Sequence, residues 1–400
     1  MIKREITDRF MKVAKSRKVI LLTGARQVGK STFIKSIKEN NREYVTLDDL
    51  TLRSLANSDP LMFLMNLKKP VIIDEIQYAP KLLSYIKMNI DESQEKGNYW
   101  LTGSQNFELM KGVSESLSGR VGILEMSSLS FAEKKGFKSK TFNPKNLEFN
   151  TFYTPNEIYE EIFKGGMPEY IFDNVDRNQF FNDYILTYLD RDVKNLSQVG
   201  DLLAFRKFLI AVAARNGEVL NYNFICEDAD IDNKTASRWM SILVASDIVY
   251  LLEPYFSSEL QRATKSPKII FLDSGLCSYL CNWNSSENLM NSSVSGHYLE
   301  SFVISELIKN KRNNLDSLNY NIYYYRDRDG KEIDLIIKCD NTLYPFEIKK
   351  TANPNKNMIS NFSILEKTNY DVGNGGLLCF YPQIINLDEK NKSYPISVIF

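Results

Sequence analysis

The chain has 400 residues, 43% of them hydrophobic and 25% charged. That is soluble globular composition with room for two or three domains, and it excludes a fibrous or disordered chain. Fifty Lys and Arg balance fifty Asp and Glu, so any nucleic-acid contact has to come from a local patch rather than a basic coat.

From the N-terminus, MIKREITDRFMKVAKSRK is charged throughout and lacks the apolar core of a signal peptide. Ile2, Ile6, Phe10 and Val13 recur at helical spacing and predict an amphipathic helix leading into the strand KVILLTG. STFIKSIKEN reads as a helix. YVTLDD, PVIIDE, YWLTGS and VGILEM then repeat the strand theme, with helices such as PKLLSYIKMNID between them. The alternation predicts an α/β fold over residues 1–135, a parallel sheet with helices on both faces. The longest apolar runs, Val19–Leu22 and Val71–Ile73, are far too short to span a bilayer, and a cytoplasmic protein without a membrane partner is expected.

Between the first strand and the next helix, Gly24-Ala25-Arg26-Gln27-Val28-Gly29-Lys30-Ser31, followed by Thr32, fits the phosphate-binding pattern G-x-x-x-x-G-K-[ST]. Glycines let backbone N–H groups wrap around phosphate oxygens, and the helix N-terminus adds partial positive charge. Lys30 is placed to reach the β- and γ-phosphates and Ser31 to coordinate Mg²⁺. Val71-Ile72-Ile73-Asp74-Glu75 supplies two acids at the end of a buried strand: Asp74 to hold the ion through water, Glu75 to orient or deprotonate the attacking water. The strand Tyr99–Thr102 runs into Ser104 and Gln105. Ser104 is the chosen γ-phosphate sensor, with a plain turn as the alternative. Arg120 is placed as an arginine finger reaching a neighbouring subunit's nucleotide, which requires a homo-oligomer, or else as a surface ion-pair arginine.

GARQVGKST, VIIDEIQ, LTGSQ and LSGR, with GGMPEY, YLDRDV and KIIFLDSGL further on, together resemble the AAA+-type P-loop ATPases of bacteria and archaea that carry a C-terminal restriction-endonuclease-like domain. The family usually has Pro at the position of Ala25 and often Ser-Ser at Ser104-Gln105. The resemblance implies ATP, rather than GTP, with Mg²⁺.

Past a polar stretch at 134–156, the expected organisation is a linker and helical segment over 136–200, a winged-helix-like domain over 201–264, and a second α/β, nuclease-like domain over 265–400. In the helix Asp232–Ser246, Lys234 and Arg238 are candidate DNA contacts while Trp239, Ile242 and Leu243 pack inward; use as a protein-docking module is equally open. Arg326 and Arg328, interleaved with tyrosines, are further nucleic-acid candidates. In Glu332-Ile333-Asp334, alternation puts the two acids on one face, and the following strand carries Glu347 and Lys349 on one face. This looks like a D…(D/E)-x-K nuclease signature. Asp334, Glu347 and Glu300 are the metal ligands, and Lys349 polarises a water or stabilises charge on a phosphodiester; a solvated hairpin face is the plain alternative. His297 and the five cysteines show no metal-ligand spacing. GGMP at 165–168 reads as a tight turn. The sequence thus predicts an ATPase that couples nucleotide state to a DNA-binding, Mg-dependent nuclease-like domain. The alternative is a slow nucleotide switch whose C-terminal half is an inactive docking or DNA-binding module.

Overall fold

The computed structural model describes residues 2–92, 95–104, 107–149, 151–173, 175–188, 201–257, 265–314 and 320–400. Gln105 and most of YLDRDV lie outside the described residues. The chain forms two compact units: residues 1–129 with 241–248 and 312–315, and residues 130–240 with 249–311 and 316–400.

The first unit alternates helix and strand. Helix α1 (Thr7–Ser16) enters β1 (Val19–Thr23), then come α2 (Lys30–Ile37), β2 (Glu43–Thr46), α3 (Leu50–Ser58), α4 (Pro60–Met65), β3 (Val71–Asp74), α5 (Leu82–Asp91), β4 (Tyr99–Thr102), α6 (Phe107–Leu117) and β5 (Val121–Glu125). The five strands are parallel in the order β2-β3-β4-β1-β5. Strands β1, β3 and β4 are buried at every position, which is why they read as continuous apolar runs rather than alternating ones. Leu82, Leu83, Ile86 and Ile90 turn one face of α5 into the core.

This strand order matters for the site. β4 lies between β1 and β3, so the loop after β1 and the acid at the end of β3 are two strand spacings apart, about 9.6 Å. Only side chains that lean over the end of β4 can bring them together.

In the second unit, helices Leu202–Ala213, Tyr222–Ala229 and Asn233–Ala245 (the last of which ends in the first unit) precede an antiparallel ribbon of β6 (Val249–Leu252) and β7 (Lys268–Phe271). Trp239 is buried edge-on against Phe205 and Phe208. A mixed sheet follows, built from β8 (Tyr320–Arg326), β9 (Glu332–Cys339), β10 (Thr342–Ile348), β11 (Asp371–Val372), β12 (Gly376–Cys379), β13 (Ile385–Asn386) and β14 (Lys392–Pro395). β8, β9 and β10 run antiparallel, and β12 lies parallel to β10. The antiparallel register sets the start of β9 beside the end of β10, so the acids of the two strands meet at one end of the sheet.

The GGMP turn has a packing role. Gly165, at φ +74°, closes the helix Pro155–Lys164 against Gly275, and an added Cβ would lie 2.4 Å from Asp273 Oδ1. The Gly166 N–H donates to Asp273 Oδ2 at 2.9 Å. Asp273 also caps the helix Ser274–Leu280 by accepting from Leu276 N–H. Two of the motifs that carried the resemblance are therefore two sides of one contact.

Candidate functional site

The loop between β1 and α2 is shaped by backbone conformations that side chains resist. Gly24 sits at φ +143°, and a Cβ there would lie 2.1 Å from the Met126 carbonyl oxygen. Gly29 is left-handed at φ 90° and so delivers the chain into α2 with Lys30 as its first residue. Gln27 also has positive φ. Lys30 is buried, and its ammonium donates to the carbonyls of Gly24 (2.9 Å) and Ala25 (2.6 Å), across the hollow of the loop. An arginine outside the motif braces the loop from beneath: Arg4 donates to Val28 O at 2.8 Å and to Ser127 O at 2.7 Å.

Across the sheet end, Ser31 Oγ donates to Asp74 Oδ1 at 3.1 Å. Two neighbours orient the same carboxylate. Thr102, at the tip of the intervening β4, donates to Asp74 Oδ1, and Tyr44 of β2 donates to Oδ2 at 2.5 Å. Thr102 Oγ1 also accepts from the Glu75 N–H at 3.3 Å. Glu75 itself is held at φ 60°, an uncommon conformation for a non-glycine residue and one that accumulates at functional sites. Its carboxyl accepts from the Gln77 side-chain amide. Burial pushes its pKa above the usual carboxylate range, against the opposing charge of Lys30.

A hydroxyl and a carboxylate 3.1 Å apart, beside a lysine and a ring of backbone amides, suit a hard divalent ion carried by a polyphosphate. Ser104 is buried just beyond the C-terminal end of β4. Arg120 stands half-exposed before β5, paired with Asp91 through Nε–Oδ1 at 2.6 Å and Nη2–Oδ2 at 3.2 Å. Sequence reasoning missed Arg4, Tyr44 and Thr102. The threonine was legible in LTGS once the strand order was known.

The second cluster lies wholly in the second unit. Asp334 on β9 accepts from the Ile348 N–H at 2.8 Å and from Lys349 Nζ at 2.9 Å, and Lys349 Nζ lies 2.6 Å from Glu347 Oε2. Glu300, on the long helix Ser295–Asn313, and Glu332 complete the group. Ligand oxygens of Glu300, Glu332 and Asp334 all fall within 4.8 Å of one another. Into this group reaches Lys268 from β7, only 2% exposed, with Nζ 2.5 Å from Glu300 Oε1 and paired with Glu332 Oε1.

Burial pushes the Glu347 carboxyl up to about 9, with the Asp334 charge adding to the effect. Burial likewise raises Glu300 to about 7 against the pull of Lys268. Burial works the same way on Asp334, but Lys349, Lys268 and the Ile348 N–H outweigh it and hold Asp334 below its ordinary value. Carboxylate oxygens with an adjacent lysine fit a hard divalent cation chemically.

A cleft of about 1270 Å³, lined by Arg326, Arg328, Lys265, Phe224 and Phe256, reaches the cluster at Lys268 and Glu332. Lys234 and Arg238 are exposed on the helix whose first residue, Asn233, also lines it. Arg326 lies 3.6 Å from Glu332.

Residues 16–135 match the family model described as an AAA domain, and residues 156–287 and 295–399 match two models each described as a domain of unknown function. Strand order, loop and acid pair together define the first unit as a P-loop ATPase fold of the AAA type. The chain is similar to an uncharacterized protein of Mycobacterium tuberculosis, 25% identical over 355 residues, covering 88% of this chain and 75% of the relative. It is also similar to one of Methanocaldococcus jannaschii, 24% identical over 342 residues, covering 81% and 73%.

Among solved structures, the Thermotoga maritima RuvB Holliday junction branch migration motor aligns over 62% of this chain and 90% of its own, at 17% identity and TM-score 0.31. Drosophila ORC bound to AT-rich DNA and Cdc6 aligns over 68% and 88%, at 10% identity and TM-score 0.21. The fold assignment rests on the strand order and the loop geometry. Among the described residues no helix is long and apolar enough to cross a membrane.

Proposed function

We propose that this chain binds and hydrolyses Mg·ATP, working as a homo-oligomer, and couples its nucleotide state to a DNA-acting, metal-dependent phosphodiester-cleaving centre near its C-terminus. The observation that carries the reading is the meeting of Lys30, Ser31 and Asp74 at one sheet end. Bound Mg²⁺ supplies neutralising charge on the phosphates. The chain does the rest. Amides of residues 24–32 receive phosphate oxygens, and Lys30 exchanges its two carbonyl partners for the β- and γ-phosphates. Ser31 and Asp74 hold the ion, and Glu75 takes up the proton of the attacking water. Ser104 reads the γ-phosphate from the end of β4, and Arg120 leaves Asp91 to reach a neighbouring subunit's nucleotide.

At the C-terminal centre, Asp334 and Glu347 hold Mg²⁺ with Glu300 nearby, and Lys349 stabilises charge on the phosphodiester. The DNA backbone lies along Arg326 and Arg328, with Lys234 and Arg238 further along it, on the winged-helix-like segment. The oxygen-rich donor set and the cations of the cleft support this assignment.

A slow switch with a docking C-terminal half is the second reading. One observation favours it: the Gln77 amide occupies the Glu75 carboxyl that hydrolysis needs free. Phosphate release and DNA nicking by the full chain separate the two. The first reading expects Mg-dependent release that falls on the order of 10²–10³-fold in Lys30→Ala, as when a charge-stabilising group is lost, and nicking that disappears in Asp334→Asn. Release unchanged in Lys30→Ala contradicts it.

A further inference from the structure

The buried lysine of β7 has no part in the chemistry described so far, yet it sits at the centre of the carboxylate cluster. Its neighbours are those of a coordinated cation: Glu300 Oε1 at 2.5 Å, Glu332 Oε1, and the face of Tyr324 with the ring centroid 5.0 Å away. A second lysine, Lys349, bridges the other two acids, Asp334 at 2.9 Å and Glu347 at 2.6 Å. The two lysines differ in one respect: Lys349 is 41% exposed, whereas Lys268 is 2% exposed, with its backbone paired to Leu252 in the ribbon and bridged to Val219.

We propose that Lys268 is the resident cation of this centre: its ammonium fills the place between Glu300 and Glu332 that a second divalent ion would take, so the centre loads a single ion between Asp334 and Glu347. The assignment rests on reading the cluster as a metal centre. It makes Lys268 a positioning residue, one that holds two carboxylates in place without touching the phosphodiester. A fixed ammonium cannot supply a second metal-bound water. The attacking water therefore has to be activated at the Asp334–Glu347 side, next to Lys349.

The test is Mn²⁺ binding to the full chain without nucleotide, followed by calorimetry and electron paramagnetic resonance. Wild type is expected to bind one ion in this centre, lost in Asp334→Asn, with the spectrum of an isolated Mn²⁺. Lys268→Ala is expected to bind one ion more than wild type, and that extra ion to be lost again in Lys268→Ala with Glu300→Gln. Mn²⁺ should also raise the melting temperature of Lys268→Ala more than that of wild type, a rescue that a purely structural ion pair would not show.

A spin-coupled Mn²⁺ pair in wild type, which requires two ions roughly 3.5–4 Å apart, overturns the proposal without any variant. So does a folded Lys268→Ala whose Mn²⁺ stoichiometry equals that of wild type. If neither protein binds Mn²⁺ here, the metal-centre reading itself fails and the proposal falls with it. Binding by Lys268→Ala alone, with none by wild type, contradicts the single ion at Asp334 and Glu347 and overturns the proposal.

Discussion

At the scale of single residues, the nucleotide site is built from conformations and burial that few other side chains would tolerate. Gly24 is the clearest case, because a methyl group would meet the Met126 carbonyl at 2.1 Å and the backbone would be strained at φ +143°. Gly24→Ala should lower stability by about 1–3 kcal/mol and weaken nucleotide binding, as measured by thermal melting with and without Mg·ATP. Glu75 is raised by burial. If it takes the proton from water, the acid limb of turnover should lie above the ordinary glutamate range near pH 4.5, and Glu75→Gln should bind ATP while losing turnover; a pH–rate profile and a binding isotherm check both.

The C-terminal acids make an opposite kind of statement, about stability. With metal chelated, the folded protein keeps a proton on Glu347 up to about pH 9 that the unfolded chain releases near pH 4.5. That contribution is full at low pH and is lost as pH rises through the folded value, and Glu300, raised to about 7, acts in the same direction. Melting temperature in chelator should therefore fall between about pH 5 and about pH 9, and fall less steeply in Glu347→Gln.

At the scale of elements, the placing of β4 between β1 and β3 explains what sequence patterns found and what they did not. GARQVGKS and VIIDE are local patterns, and each was readable because its residues are neighbours in the chain. Their meeting depends on strand order, which no local pattern encodes. So no local pattern marks Thr102, whose hydroxyl bridges the gap by binding Asp74, nor Tyr44 and Arg4. Thr102→Val keeps the shape of the strand end and removes that donor. It should cost about 1–2 kcal/mol and lower Mg·ATP affinity, with Ser31 left as the side-chain donor on the same oxygen. The paired acids of β9 and β10 were legible because alternation in a hairpin fixes faces. Lys268 was not: KIIFLDSGL reads as an ordinary buried strand, and its lysine becomes meaningful only when the ribbon sets it among acids that lie far along the chain.

At the scale of the whole molecule, the α/β first unit followed by helices, a ribbon and a mixed sheet is what the alternation of patterns indicated. The compact units do not follow the chain in simple blocks, since 241–248 and 312–315 group with the first. Arg312, at the end of the helix that carries Glu300, pairs there with Asp247 at 2.8 Å and Glu125 at 2.9 Å. Such interleaving is invisible to composition shifts along the sequence, which mark only where patterns change. The two sites are nonetheless chemically separate, each with its own acids and lysines. Asp334→Asn removes no group that touches Lys30, Ser31 or Asp74 and should therefore leave ATP binding within about twofold of wild type.

The grip of Lys30, Ser31 and Asp74 on a magnesium triphosphate is best tested by titrating Mg·ATP into the full chain in a calorimeter, alongside Lys30→Ala and Asp74→Asn. Saturable binding by the wild type, weakened at least about tenfold in each variant, is the predicted result. Equal binding by all three proteins, or none by the wild type across several temperatures, would contradict it.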